Sequence, residues 1–351
     1  MSVIKTLIEK PAAWLSGENE ESELVLSSRA RLARNLDRHP FTHAGKDDGI
    51  GIVYREVIDA LAGTRALKGA LIVDMAETSE PERMMLAERH LITREMVKRY
   101  ISRALVVKVD EKLSVMVNEE DHLRLHAIEP GLSIQQAFTA IDKLDNELDK
   151  RIKYAFSESF GYLTACPTNV GTGLRVSAMV HLPGLVHNKD IAQVLDGLRN
   201  VRLTVRGIYG EGTEVMGNLF QISNSITLGL SEEDTVENLE THIRKVLEFE
   251  KKAREVLLKK ARSLLEDKIW RAYGILKSAR LVTSKEAMGL ISAVRMGVGL
   301  GIITDTALAV LNELLIMIQP MHLQAMFKKA MNSAERDRVR ADYIRSRMNG
   351  R

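Results

Sequence analysis

The texture of this sequence changes once, close to Ser231, and that change constrains the architecture more than any other feature. Before it, short β-rich runs alternate with turn residues. Ala70 to Met75, Leu113 to Val117, Leu174 to Val180 and Val201 to Ile208 all read as strands. Among them, Ser133 to Arg151 reads as an amphipathic helix, because Ile134, Ala137, Phe138, Ile141, Leu144 and Leu148 recur at three- and four-residue steps. Asn188 to Arg199 reads as a shorter helix of the same kind. After Ser231 only helical patterning remains. Ser231 suits an N-cap, with Glu232, Glu233 and Asp234 in the turn where carboxylates favour the helix dipole. Leu239, Ile243, Val246 and Leu247 then form a buried stripe, and Pro320 is the clearest later breaker. An α+β unit followed by an all-α unit is expected. The boundary falls in Leu247 to Glu266, inside a long connecting helix, which gives units of 1–254 and 255–351.

A length of 351 residues agrees with two units at roughly 150 residues per domain. The single cysteine, Cys166, excludes an internal disulfide framework and a four-thiolate zinc site. Met1 to Trp14 carries Lys5, Glu9 and Lys10 and no apolar core ahead of a cleavage site. The longest uncharged run, Val215 to Ser231, is interrupted by Asn218, Gln221, Ser223 and Asn224, so it does not suit a bilayer. A cytoplasmic protein without membrane contact is expected. Fifty basic residues against 47 acidic ones leave a net charge of +3, a weak footing for direct nucleic-acid binding. Only the end is locally basic: Glu335 to Arg351 holds six arginines and three acids.

Four segments carry the candidate chemistry. In Ser27-Ser28-Arg29-Ala30-Arg31, strand periodicity puts Arg29 and Arg31 on one face opposite Ala30. Two neighbouring arginines repel unless an anion lies between them, and phosphate matches their planar forks best. An arginine-rich helix start is the alternative. Asn118-Glu119-Glu120-Asp121-His122-Leu123-Arg124 follows an apolar strand; its acids suit an exposed loop, a metal site or a general base beside an arginine. In Cys166-Pro167-Thr168-Asn169-Val170-Gly171-Thr172-Gly173-Leu174-Arg175, a lone thiol meets a glycine-punctuated turn. Cys166 alone reads as a small buried apolar group, whereas the residues after it suit close approach of backbone to a ligand. Arg206-Gly207-Ile208-Tyr209-Gly210-Glu211 reads as a strand end running into a loop that presents Arg206 and Glu211, or as a surface turn with a solvated ion pair.

In this order the four segments resemble the catalytic domain of the phosphagen (guanidino) kinases, the family of creatine kinase and arginine kinase, over Glu23 to Arg254. The resemblance implies an antiparallel sheet flanked by helices, and transfer of the γ-phosphoryl group of ATP, with Mg²⁺, to a guanidinium nitrogen. It assigns the phosphate clamp to Arg29, Arg31, Arg124, Arg175 and Arg206. The surrounding nucleotide contacts would be Ser27, Ser28, Ala30, His90, Val176, Ser177, Ala178, Met179, Gly207, Ile208, Tyr209 and Gly210. A guanidinium has a pKa above about 12, so its lone pair is delocalised, and paired carboxylates are needed to align it and take its proton. The resemblance gives that work to Glu120 and Glu211, with Cys166 orienting the cation and no residue of the chain implied as a metal ligand. Two departures stand out: Met179 replaces a histidine usual in the family, and Gln221 replaces an acid.

Only 26 residues precede Ser27, where creatine and arginine kinases carry a helical domain; the additional length is C-terminal. That arrangement is similar to the bacterial protein-arginine kinases, which modify exposed arginines of proteins. Arg336-Asp337-Arg338-Val339-Arg340-Ala341 matches a motif of that subfamily implied to bind phosphoarginine through Arg336, Asp337, Arg340 and Ala341 and to regulate activity. The resemblance further implies a homodimer and a stress-response role. Its implied partners are a Clp-type AAA+ protease, a heat-shock repressor and a zinc-binding activator protein. Phosphorylation of free arginine is the alternative.

Overall fold

The computed structural model describes residues 3–45, 47–207 and 216–350. Among the described residues there are ten strands: β1 (Val25–Arg34), β2 (Leu71–Asp74), β3 (Ala104–Val107), β4 (Leu113–Val117), β5 (Leu123–Pro130), β6 (Phe156–Ser157), β7 (Gly161–Tyr162), β8 (Leu174–His181), β9 (Leu203–Gly207) and β10 (Leu219–Asn224). Eight of them form one sheet in the order β2-β3-β4-β5-β1-β8-β10-β9, every neighbouring pair antiparallel. β6 and β7 make a separate hairpin. The α+β class with an antiparallel sheet, helices against it and a helical C-terminal region agrees with the sequence reading.

Alternation along the central strands gives the sheet two different faces. Ala30, Leu32, Leu125, Ala127, Leu174, Val176, Ala178 and Ile222 join the helix Ile134–Asp149 and the first half of the helix Glu232–Ser278 in the largest core. The other face carries the arginines. It is covered at one end by a second core, in which Trp14 and Leu15 of the N-terminal segment pack with Leu26, Ile128 and the C-terminal helices. A third core, around Met75, Met85, Leu105 and Met116, receives Ile4 and Leu7 and is flanked by Met321.

Local boundaries follow their caps. Ser231 accepts the Asp234 N–H as expected of the N-cap, and the helix it starts runs 47 residues, with one non-helical residue at Ala261. The helix expected over Asn188 to Arg199 is present as Ile191–Asn200, and a further short helix precedes it. Pro183–Asn188 ends at Lys189, whose φ of +66° is left-handed, and the chain restarts as Ile191–Asn200.

Candidate active site

β1 is the axis of the site. Its register sets Arg31 directly opposite Arg175 on β8 and His126 on β5, and Arg29 opposite Ser177 and Ile128. Ala33 lies opposite Arg124. On the far side, Met179 pairs with Gln221, which in turn pairs with Arg206 on β9. Directly paired residues of antiparallel strands share a face, so Arg29, Arg31, Arg124, Arg175 and Arg206 all project from one side of the sheet. The helical alternative for Arg29 and Arg31 does not occur.

This concentration of positive charge is only partly balanced. Arg124 donates to the Glu119 carboxylate at 2.7 Å, and Thr93 donates to the other oxygen at 2.6 Å. Burial works to raise Glu119, but Arg124 and Thr93 hold it below the usual carboxylate range. Arg29 and Arg31 face no carboxylate within ion-pair distance among the described residues. Burial, with Arg124, Arg175 and Arg206 nearby, pulls Arg29 down to about 10. Arg31 is pulled down by burial and by the same cations with Arg29 added, and its Nε is buried without a partner. Burial and the neighbouring cations both act against these guanidinium charges, and a polyanion between them would offset the repulsion.

Beside the arginines lies a narrow cleft lined by Trp14, Leu26, Ser27, Arg29, His90, Ile128, Ser177, Met179, Gln221 and Ile316. Four residues expected at the nucleotide therefore meet Arg29 there: Ser27, His90, Ser177 and Met179. Both departures, Met179 and Gln221, sit side by side in the same wall, where Gln221 donates to Ser177 Oγ at 3.1 Å. Burial and Arg29 push His90 down to about 4, so its imidazole is neutral near pH 7.

The acidic segment divides its labour. Asp121 Oδ1 accepts the Asn35 amide at 2.6 Å and the Ala165 N–H at 2.7 Å, which ties the loop before β5 to the turn carrying Cys166. His122 is structural, accepting from the Leu36 N–H through Nδ1 and bonded to the Pro40 carbonyl through Nε2. Glu120 is exposed and adjacent in sequence to Asp121, as Cys166 is to Ala165. Partial burial and the Asp121 charge raise Glu120 above the usual carboxylate range, against the pull of Arg124 and Arg175. Cys166 Sγ lies 3.0 Å from Thr168 Oγ1. Ile208, Tyr209, Gly210 and Glu211 lie outside the described residues. No three His, Cys, Asp or Glu side chains among the described residues converge as a metal site.

Several expected residues are not brought to the cleft by their side chains. Ser28, Ala30, Val176 and Ala178 point to the opposite face, as the period of two requires. Ser28 is fully buried there, donating to the Gly131 carbonyl and accepting the Ser133 N–H. Gly207, opposite Phe220 in β10, shares that face. Gly171 and Gly173 also serve a different purpose from the ligand contact expected. Both have positive φ, and a Cβ on Gly173 would stand 2.7 Å from the Ala33 carbonyl while one on Gly171 would strike the Thr227 carbonyl. They let the turn pass against β1 and the loop after β10.

At the C-terminus, Arg336 and Arg340 lie one turn apart on the helix Ser333–Met348. Arg340 is 1% exposed; its guanidinium donates to the Ile318 and Val282 carbonyls and to Asp337. Arg336 donates to the Met331 carbonyl. The open pair of forks expected from the helical spacing is thus partly spent on the fold, with Arg340 acting as an internal clamp. Sequence reading also missed Trp14, His126 and Ile316. His126 had a signal, standing two residues after Arg124 in a strand and so on its face; Trp14 and Ile316 are far from every motif.

Residues 53–253 match the C-terminal catalytic domain of the ATP:guanido phosphotransferases, which sets the class: enzymes that move phosphoryl groups between ATP and guanidino compounds. Residues 262–350 match the C-terminal domain of the protein-arginine kinase McsB. A protein-arginine kinase of Pelotomaculum thermopropionicum is 43% identical over 348 residues, covering 98% of each chain. That of Halothermothrix orenii is 42% identical over 347 residues, 99% of each, and that of Bacillus cereus 40% identical over 352 residues, 99% of each. The chain belongs to the protein-arginine kinase family. Among solved structures, the duplicated taurocyamine kinase of Schistosoma mansoni with bound transition-state-analogue components is similar at a TM-score of 0.61 and 25% identity, over 70% of this chain and 35% of that one. A lombricine kinase shares the fold at a TM-score of 0.58 and 24% identity, over 69% and 71% of the two chains.

Proposed function

We propose that the cleft takes ATP and that the chain transfers its terminal phosphoryl group to arginine side chains of proteins. One observation carries this reading: five guanidinium groups share a face of the sheet, and the two central ones face no carboxylate among the described residues. A triphosphate supplies the missing charge. Arg29, Arg31, Arg124, Arg175 and Arg206 hold the phosphates in line; Trp14, His90, Met179 and Ile316 flank the rest of the nucleotide. Mg²⁺ carried on the triphosphate would offset part of its negative charge. No metal ligand is assigned among the side chains, since Glu119 and Asp121 are already engaged.

Glu120 and Glu211 align the acceptor guanidinium and take its proton while the N–P bond forms and the bond from phosphorus to the ADP oxygen breaks. Cys166 orients the same cation. The exposed position of Glu120 suits an arginine carried on another protein, and the names of the relatives favour the same acceptor. The catalytic unit is 1–254 and the helical unit 255–351, the latter binding phosphoarginine at Arg336, Asp337, Arg340 and Ala341. Family resemblance supports a cytoplasmic homodimer in a stress response, serving a Clp-type protease with a heat-shock repressor and a zinc-binding activator as partners. Incubation with ATP and either free arginine or an unfolded protein tests the acceptor. Acid-labile phosphate on the protein is expected; phosphate on free arginine alone would replace this reading with a small-molecule kinase.

A further inference from the structure

Arg89 is a buried cation with partners on four other segments, and nothing in the chemistry above uses it. It closes the helix Glu80–Glu88 and immediately precedes His90, whose φ of +62° turns it toward the cleft. The guanidinium is 1% exposed. Nε and Nη2 donate to both oxygens of Glu111, the former at 2.9 Å; Nη2 also donates to the Lys10 carbonyl at 3.0 Å. Nη1 lies 3.0 Å from His322 Nε2 and 3.8 Å from Met317 Sδ. Arginine can only donate, so His322 Nε2 must be the acceptor and the imidazole neutral. Burial and Arg89 accordingly drop His322 to about 3.

Glu88 makes a parallel link. Its two oxygens accept the Met321 and His322 N–H groups at 3.0 and 2.9 Å, capping the helix Pro320–Phe327 from another part of the chain. Between these anchors lies the end of the helix Leu308–Met317: Ile316 lines the cleft, Met317 touches Arg89, and the Ile318 carbonyl is held by Arg340. The Lys10 contact reaches the segment that carries Trp14, which is itself fixed by the Ala13 N–H to the Asp110 carbonyl.

We propose that Glu88 and Arg89 are positioning residues for the nucleotide. They fasten the C-terminal corner around Ile316–His322 to the His90 turn, so that the walls contributed by His90, Ile316 and Trp14 stand at one spacing. The inference rests on the reading of the cleft as the ATP site. Glu88→Gln replaces one acceptor with an amide NH₂ that opposes a backbone N–H. His322→Leu leaves Arg89 Nη1 without its nitrogen partner, whereas His322→Gln can restore an acceptor.

Steady-state kinetics on the full chain separate the cases. Glu88→Gln and His322→Leu are expected to raise KM for ATP about tenfold, the scale of one lost charged hydrogen bond, with kcat and KM for the protein acceptor within about twofold. His322→Gln should recover most of the loss. Unchanged KM for ATP in folded Glu88→Gln protein would overturn the proposal, as would equal defects in His322→Gln and His322→Leu. Should His322→Leu fail to fold, Glu88→Gln decides alone. His90→Ala is the control: if it too leaves KM for ATP unchanged, the fault lies with the nucleotide reading of the cleft.

Discussion

At the residue scale, the partner that each side chain finds decides which neighbours are left for chemistry. Glu119, Glu120 and Asp121 are chemically alike, yet one neutralises Arg124, one is exposed and one staples two loops. Glu120 is the candidate base because, among the described residues, it alone of the three has no side-chain partner. Glu120→Gln is expected to lower kcat by about a hundredfold or more, within the span of general-base effects. Its raised pKa means that the working carboxylate is lost as pH falls through a value above the ordinary range. The Asp121 charge contributes to that rise, so Asp121→Asn, which keeps an oxygen for Asn35 and Ala165, should move the acid limb of the rate profile to lower pH. A limb that stays in place, or moves to higher pH, would remove Glu120 from the role.

At the scale of elements, β1 holds the catalytic face and the core together. Its odd-numbered residues Ser27, Arg29 and Arg31 face the site, and its even-numbered residues Ser28, Ala30 and Leu32 face the core. Ser28 belongs to the nucleotide motif by sequence but to the helix Ile134–Asp149 by geometry, since it bonds Gly131 and Ser133 at that helix's start. Ser28→Ala should therefore cost about 1–3 kcal/mol in denaturant unfolding while KM for ATP stays unchanged. A raised KM without loss of stability would reverse the assignment. The arginine pair was legible from the period of two; the duty of Ser28 was not, because a hydroxyl suits either face.

On the scale of the whole molecule, the cleft is assembled from four stretches: the sheet, the N-terminal segment, the turn at His90 and the C-terminal helices. Trp14 lies in its wall and is 3% exposed, whereas Trp270 is 50% exposed on the long helix. Titration with ADP should change a blue-shifted tryptophan emission, the change should persist in Trp270→Phe protein, and it should vanish in Trp14→Phe protein. A signal that survives in Trp14→Phe protein would place the nucleotide elsewhere. The same assembly explains the structural use of Arg340. Its position in a family motif suggests a ligand, but the carbonyls of Ile318 and Val282 need donors once the helices pack, and Arg340 meets them.

The sequence by itself determined the class of fold, the strand and helix periods, the Ser231 cap and the common face of Arg29 and Arg31, because each depends on spacing within one element. Which strands became neighbours, and hence that Arg124, Arg175 and Arg206 join that face, was decided only by the tertiary structure. So were the places of Trp14, Ile316 and the Arg89 knot. Sheet order and helix docking are set by contacts between residues tens to hundreds of positions apart, and no local pattern encodes them.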